Sequence, residues 1–268
     1  MLLFLVLMVF LSEFVSALIL AFVQGVTEWL PISSSGHLLL FETILSFDGG
    51  LFFEVALHFG TLMAVFVYFR RDIMDILRAL FSGKWRSEDG KLGLLLIVGT
   101  IPAVIVGFFA HSIFDTTLSD FFLLALGFMV TGVLLLIVAF YNVKTDNKIG
   151  YGKSFTIGIA QALAILPSLS RSGTTISSGI LLGLSEKNAL RFSFLLSIPA
   201  ILGASVLEFS TGTLSPSLIG PIIVSFITGL ATIHLCFKYL LNKRKNFIWF
   251  GIYALILGIV ILIWALSN

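Results

Sequence analysis

Arg171 stands in the run Leu166-Pro167-Ser168-Leu169-Ser170-Arg171-Ser172-Gly173-Thr174-Thr175, between apolar flanks. A guanidinium carried to membrane depth costs roughly 3 kcal/mol or more on insertion scales, so it must meet an anion. Two anions are open to it: the carboxylate of Glu28, or a phosphate whose oxygens match the planar fork of N–H donors. The phosphate is preferred, because the hydroxyls of Ser170 and Ser172 and the small Gly173 open a helix, and helix N-terminal amides also favour an anion.

A second run reads Gln24-Gly25-Val26-Thr27-Glu28-Trp29-Leu30-Pro31-Ile32-Ser33-Ser34-Ser35-Gly36-His37. Gln24 and Glu28 are spaced i, i+4, so both project from one helix face. Glu28 can hold a divalent cation, which prefers oxygen ligands, or orient a base. Gln24 offers a neutral oxygen or an amide donor. Three serines precede Gly36. A Ser and a His within reach make a nucleophile–base pair, and Ser34 with His37 has that spacing. If Pro31 ends one helix and the next begins near Ser35, Ser34 lies at the tip of the loop. Ser33 and Ser35 then serve as caps or phosphate donors. Ser34 ranks ahead of His37 as the attacking group. Glu54 and His58, again at i, i+4, either line the same cavity or pack. His111 and His234 lie near span ends and carry no assigned role.

Apolar segments must position these residues. Charged residues make up 11% of the chain and hydrophobic ones 58%, with a mean hydropathy of +1.10. A soluble domain needs about 25% charged residues to cover itself, so the bilayer is this chain's solvent. The single Cys236 excludes an intramolecular disulfide, and a net charge of +2 carries no nucleic-acid signal. The first residues, Met1 to Leu11, lack basic side chains, so a cleaved signal peptide is not expected.

Six stretches have the roughly 20 apolar residues that a crossing helix takes. They run from Leu51 to Phe69, Leu92 to Ala110, Phe121 to Tyr141, Phe192 to Leu207, Pro216 to Phe237 and Phe247 to Leu266. Two other regions, Val23 to Phe47 and Phe155 to Leu184, are interrupted by Pro, Ser and Gly and read as re-entrant hairpins. Irregular backbone at that depth is tolerated only inside protein or beside a cavity. A shift of 137 residues lays Gln24 on Gln161, Ser33 on Ser170, Ser35 on Ser172 and Gly36 on Gly173. The expected fold is therefore an all-α integral membrane domain over residues 1–268. It is an inverted repeat of a re-entrant helical hairpin plus three transmembrane helices, with halves 1–141 and 142–268 and the site between the broken helices.

Every Lys and Arg except Arg171 falls on one side if each hairpin returns to the side it entered from. That side is cytoplasmic by the positive-inside rule, which places both termini and the opening of the site on the outer face of the cell membrane. The loops His111 to Asp120 and Glu208 to Ser215 contain no basic residue. Residues 1–30 are long enough to cross fully, and in that case the N-terminus moves inside.

Taken together, Gln24…Glu28 with Pro31-Ile32-Ser33-Ser34-Ser35-Gly36-His37, and Pro167-Ser168-Leu169-Ser170-Arg171-Ser172-Gly173 followed by Thr175, resemble the two motifs of the membrane undecaprenyl-diphosphate phosphatases of the bacitracin-resistance type. The likeness extends to Phe53-Glu54…His58-Phe59-Gly60-Thr61 and to Arg191-Phe192-Ser193-Phe194…Ile198-Pro199-Ala200. It implies two re-entrant hairpins, six spans, an outward-opening site and removal of one phosphate from a polyprenyl diphosphate lipid. It implies Ser34 as nucleophile, His37 as its acid/base partner and Glu28 as the metal-binding or base-orienting carboxylate. Arg171, Ser170, Ser172 and Thr175 are its implied phosphate ligands, Mg²⁺ or Ca²⁺ its cofactor and a homodimer its assembly. Gln24 stands where the family often has Glu, which removes one charge from the metal site. Ser168 stands where the motif has Gly, which implies a somewhat different loop conformation.

Two other functions fit parts of the pattern. A transporter or flippase of polyprenyl phosphate shares the fold logic and needs Arg171, but not the Ser34/His37 pair. An intramembrane serine protease needs a Ser and a His, but not an Arg beside its hydroxyls. The Pro-Ser-Gly-His lipid phosphatases require an Arg-Pro pair, which is absent, and a His where Ser177 stands. Only a histidine nucleophile at His37 survives from that comparison.

Overall fold

In a bilayer core a segment must satisfy its own backbone, and helices do so within one chain segment. All regular structure among the described residues is helical. The computed structural model describes residues 2–117, 120–142, 144–166, 168–209 and 215–267, with side chains for 12–109, 120–142, 144–166, 168–206 and 215–267. Pro167 lies outside the described residues. So do the side chains of the two loops without basic residues, His111 included, apart from Asp120 and Ser215.

In chain order the helices are α1 (Leu2–Thr27), α2 (Ser34–Leu45), α3 (Gly50–Tyr68), α4 (Arg70–Phe81), α5 (Glu88–Thr117), α6 (Phe121–Phe140), α7 (Tyr151–Leu163), α8 (Arg171–Leu181), α9 (Glu186–Phe209), α10 (Ile219–Leu235) and α11 (Phe247–Ser267). Six segments are long and apolar enough to cross a membrane: Gly50–Tyr68, Glu88–Phe109, Phe121–Phe140, Glu186–Val206, Pro216–Leu240 and Arg244–Ser267. They fall where the hydropathy placed them. The chain is thus a multi-pass, all-helical membrane protein.

Both interrupted regions are a helix, a break and a second helix. α7 has 13 residues, about 20 Å, and is too short to cross. α1 has 26 residues, about 39 Å, so its length permits a crossing. What distinguishes α1 is its end, where the chain reverses at Glu28 and returns as α2. That break is buried. Trp29, Leu30 and Ile32 lie in the main core with Leu62 and Val65 of α3 and Phe194 of α9, and the rings of Trp29 and Phe194 meet edge-on at 4.9 Å. Protein, not lipid, therefore surrounds the irregular backbone.

Each second helix starts on a serine. Ser33 caps α2, its hydroxyl accepting from Gly36 N, and Ser170 caps α8, accepting from Gly173 N at 3.0 Å. Ser168 has φ 62, the left-handed region that glycine adopts freely, so serine holds a glycine conformation at a cost of about 1 kcal/mol. Its hydroxyl is also buried without a partner among the described residues. Ser168→Gly is expected to stabilise the protein by about 1 kcal/mol, read as a higher thermal midpoint in detergent. An unchanged midpoint would show that the left-handed turn carries no strain.

α4 was not anticipated. It occupies the basic segment after the first span, where Ile76 and Leu80 pack onto α5 at Gly93. Asp72 in its first turn and Arg78 in its last suit the helix dipole. Asp72 also accepts from Arg191 Nε of α9 at 2.7 Å. On the same side of the molecule, the 144–148 segment closes the end of α8: the amides of Asp146 and Asn147 donate to Gly183 O at 3.0 and 3.1 Å. The Lys148 amide and then the Lys153 ammonium hold the Asp146 carboxyl below its ordinary range.

Candidate active site

The packing brings the two breaks face to face. α1 lies against α10 and α2, α7 against α5 and α8, and α3 against α9 and α10. Ser172 Oγ donates to Leu30 O at 2.7 Å and so ties the second loop to the backbone of the first. Gly173 explains how the loops come so close: a Cβ there would lie 3.3 Å from Pro31 O. The amide of Ser170 is fixed separately, donating to Thr131 Oγ1 of α6 at 3.1 Å.

Glu28 is the hub of the site and is 6% exposed. Its Oε1 pairs with Arg171 Nη2. Its Oε2 accepts from Ser34 Oγ at 2.5 Å and from Gln24 Nε2 at 3.1 Å, with His58 Nε2 at 3.4 Å. The i, i+4 spacing of Gln24 and Glu28 thus does what helical geometry implied. Of the two anions open to Arg171, Glu28 is engaged by one side of the fork. The other nitrogen, Nη1, is buried with no hydrogen-bond partner among the described residues. The guanidinium carbon also lies 5.7 Å from the Trp29 ring centroid, at cation–π distance.

A cavity of about 330 Å³ opens here, lined by Glu28, Ser33, Ser34, Ser35, His58, Ser170, Arg171 and Ser172, with Ala164, Ile165, Ala200, Ile201 and Ala204 among its apolar walls. Ser33 and Ser35 hydroxyls lie 3.4 Å apart, and those of Ser170 and Ser172 3.2 Å apart. Most of the residues singled out in the two loops therefore share one cavity. His58, one of two open readings in the sequence, belongs to it. Glu54 is not among its lining residues, and its backbone carbonyl accepts from His58 Nδ1 at 2.8 Å.

Three of the residues singled out in the sequence are not brought to the cavity or to Ser34. Thr175 does not reach the cavity, because its hydroxyl is used within the protein, donating to Arg171 O at 2.7 Å and lying 2.6 Å from Ser193 Oγ. Gly173 serves the close approach of the loops and does not line the cavity. His37 is not paired with Ser34: its Nδ1 meets Ser33 O at 2.6 Å and its Nε2 meets Tyr253 OH at 2.7 Å. The group in contact with the Ser34 hydroxyl is Glu28. Sequence reasoning missed Tyr253, Trp29 and Thr131, since a lone Tyr, Trp or Thr in an apolar segment carries no spacing signal.

A hydroxyl with a carboxylate base in contact and an unsatisfied guanidinium nitrogen beside it is equipped for attack on a phosphorus centre. For a divalent cation the donors are few. No group of three or more His, Cys, Asp or Glu side chains could hold a metal among the described residues. One carboxylate, Glu28, is joined by Gln24 Oε1, which is buried and has no partner among the described residues, and by the serine hydroxyls. That oxygen set fits a hard ion that takes most of its ligands from water and substrate phosphate.

The chain matches the family model described as bacitracin resistance protein BacA over residues 17–260. Among curated relatives, the undecaprenyl-diphosphatase of Korarchaeum cryptofilum is 38% identical over 267 residues, spanning 93% of this chain and 98% of the relative. That of Alcanivorax borkumensis is 39% identical, spanning 94% and 99%. The undecaprenyl-diphosphatase of Desulforudis audaxviator is also 39% identical, spanning 94% and 97%.

Proposed function

This chain belongs to the bacitracin resistance protein BacA family, and from that premise we propose that it is an undecaprenyl-diphosphatase, a hydrolase that removes the terminal phosphate of undecaprenyl diphosphate. The observation that carries this reading is the Ser34 hydroxyl held 2.5 Å from the Glu28 carboxylate in a cavity shared with Arg171. A carrier of lipid phosphate has no need of an activated hydroxyl. The test is release of inorganic phosphate from undecaprenyl diphosphate by the purified chain in detergent. Binding of the lipid without phosphate release would favour the carrier.

The chemistry follows from the contacts. Ser34 Oγ attacks the terminal phosphorus and its proton passes to Glu28 Oε2. The bridging P–O bond breaks, and the electron pair leaves with undecaprenyl monophosphate. Water then cleaves the Ser34 phosphoester, releasing inorganic phosphate and restoring the hydroxyl. Arg171 Nη1, the Ser170 hydroxyl and the N-terminal amides of α8 take up charge on the phosphate oxygens. A divalent cation held by Glu28 and Gln24 Oε1 adds to that neutralisation when bound. Glu28→Gln is expected to lower the rate by about a hundredfold or more and to weaken the Mg²⁺ or Ca²⁺ dependence at the same time. A variant with the parent's metal titration would remove Glu28 from the metal site.

The two halves are read as an inverted repeat because their packing partners exchange. α1 lies on α10 as α7 lies on α5, α3 lies on α10 as α9 lies on α5, and the pairs α3/α9 and α6/α11 map onto themselves. Three crossing helices follow each broken pair, so the halves insert with opposite orientation. With the basic loops in the cytoplasm, the site opens outward. Ser217→Cys is expected to react with a membrane-impermeant maleimide in intact cells, and Glu88→Cys only after lysis. The native Cys236 is buried and gives no background. The reverse labelling pattern would overturn the orientation.

A further inference from the structure

His37 is 4% exposed in the first turn of α2, and both its ring nitrogens are engaged. A carbonyl oxygen only accepts, so Nδ1, at 2.6 Å from Ser33 O, carries the hydrogen. In the neutral ring Nε2 is then the acceptor, and the Tyr253 hydroxyl of α11 donates to it at 2.7 Å. The two rings stack, with planes 11° apart and centroids at 5.8 Å. Phe128 of α6 meets the imidazole edge-on at 5.2 Å. It also fills the space beside Gly36, where a Cβ would lie 2.6 Å from Phe128 Cζ. α6 and α11 thus hold the first turn of α2 from one side.

What this arrangement grips is the backbone of Ser33, which has φ 68 and ψ 101. A non-glycine residue there stores roughly 1–3 kcal/mol and persists only where its surroundings fix it. Ser33 immediately precedes Ser34, so its conformation sets where the Ser34 hydroxyl points. We propose that His37 and Tyr253 are positioning residues: together they hold the strained Ser33 carbonyl so that Ser34 Oγ meets Glu28. His37 then neither attacks phosphorus nor accepts the serine proton. The kinetic consequence rests on the phosphatase reading; the tautomer and the carbonyl contact do not.

The experiment uses the full chain with ¹⁵N-labelled histidine, the His37 signals being those lost in His37→Asn. The parent is expected to show His37 protonated at Nδ1, and Tyr253→Phe to shift the unprotonated Nε2 resonance. Tyr253→Phe is expected to lower kcat about tenfold, the weight of one hydrogen bond, with KM for undecaprenyl diphosphate little changed. His37→Asn keeps an N–H that reaches the Ser33 carbonyl but cannot shuttle a proton near neutral pH. It is expected to turn over at least about tenfold faster than His37→Ala. An Nε2-protonated ring in the parent, His37→Asn as inactive as His37→Ala, or phosphate trapped on His37 would each overturn the proposal. A parent that releases no phosphate would sink the phosphatase reading alone, and the tautomer would still decide this one.

Discussion

Arg171→Ala is expected to lower phosphate release from undecaprenyl diphosphate by roughly three orders of magnitude, the scale on which a single arginine stabilises a transferring phosphoryl group. Arg171→Lys is expected not to restore it. The guanidinium divides its two terminal nitrogens, Nη2 toward Glu28 and Nη1 toward the cavity. A lysine ammonium is a single point of charge and must choose. The alanine variant also leaves Glu28 buried without the Arg171 counter-charge, which costs stability as well as catalysis. The double variant Arg171→Ala/Glu28→Gln separates the two. It is expected to regain thermal stability relative to Arg171→Ala while remaining inactive. Near-parental turnover by Arg171→Lys would end the two-sided role.

Ser34→Ala is expected to cost at least about a thousandfold in turnover, as removal of an attacking group does. Ser33→Ala and Ser35→Ala are expected to lose less. Ser33 and Ser35 also line the cavity, but only Ser34 has its hydroxyl on the Glu28 carboxylate. A Ser33→Ala variant removes a helix cap and its bond to Gly36 N, about 1 kcal/mol of local stability. Substantial turnover by Ser34→Ala would show that water attacks the diphosphate directly. In that case Glu28 remains the base, but its proton comes from water.

The parts of the molecule that one-dimensional signals encode were legible in the sequence. Crossing helices need an apolar run of a given length, and the run from Phe121 became α6 within one residue of its expected end. Gln24 and Glu28 share a helix face by arithmetic, and Arg171 announced itself by its cost in an apolar stretch. No helix was expected at α4, whose charges, Arg70 to Asp75, were used only to orient the spans. The pattern Ile73, Ile76, Leu80 was present at helical spacing. Pairing the Ser34 hydroxyl with His37 failed for a different reason. Residues three apart on a helix are neighbours, but which of several neighbours a side chain takes is decided by groups from elsewhere. Here those groups were Glu28, six residues back across the turn, and Tyr253 on the last helix. Tyr253 had no legible signal, since a tyrosine in an apolar helix reads equally as an interfacial anchor. Thr175, expected as a ligand from its place after the Arg171 motif, has its hydroxyl on Ser193 of α9, a partner with no signal in the sequence.

The span between His37 and Tyr253 is 216 residues, and that between Glu28 and Arg171 is 143. A ribosome adding about 5–20 residues per second takes roughly 10–40 s to go from the first of these loops to the helix that clasps it. The Glu28 carboxylate waits for its counter-charge until Arg171 has been added, and the strained turn at Ser33 waits through the whole interval for the support of Tyr253. The arrangement of the site is therefore complete only once α11 has been made. A chain that stops before α11 enters the membrane without the Tyr253 contact on His37.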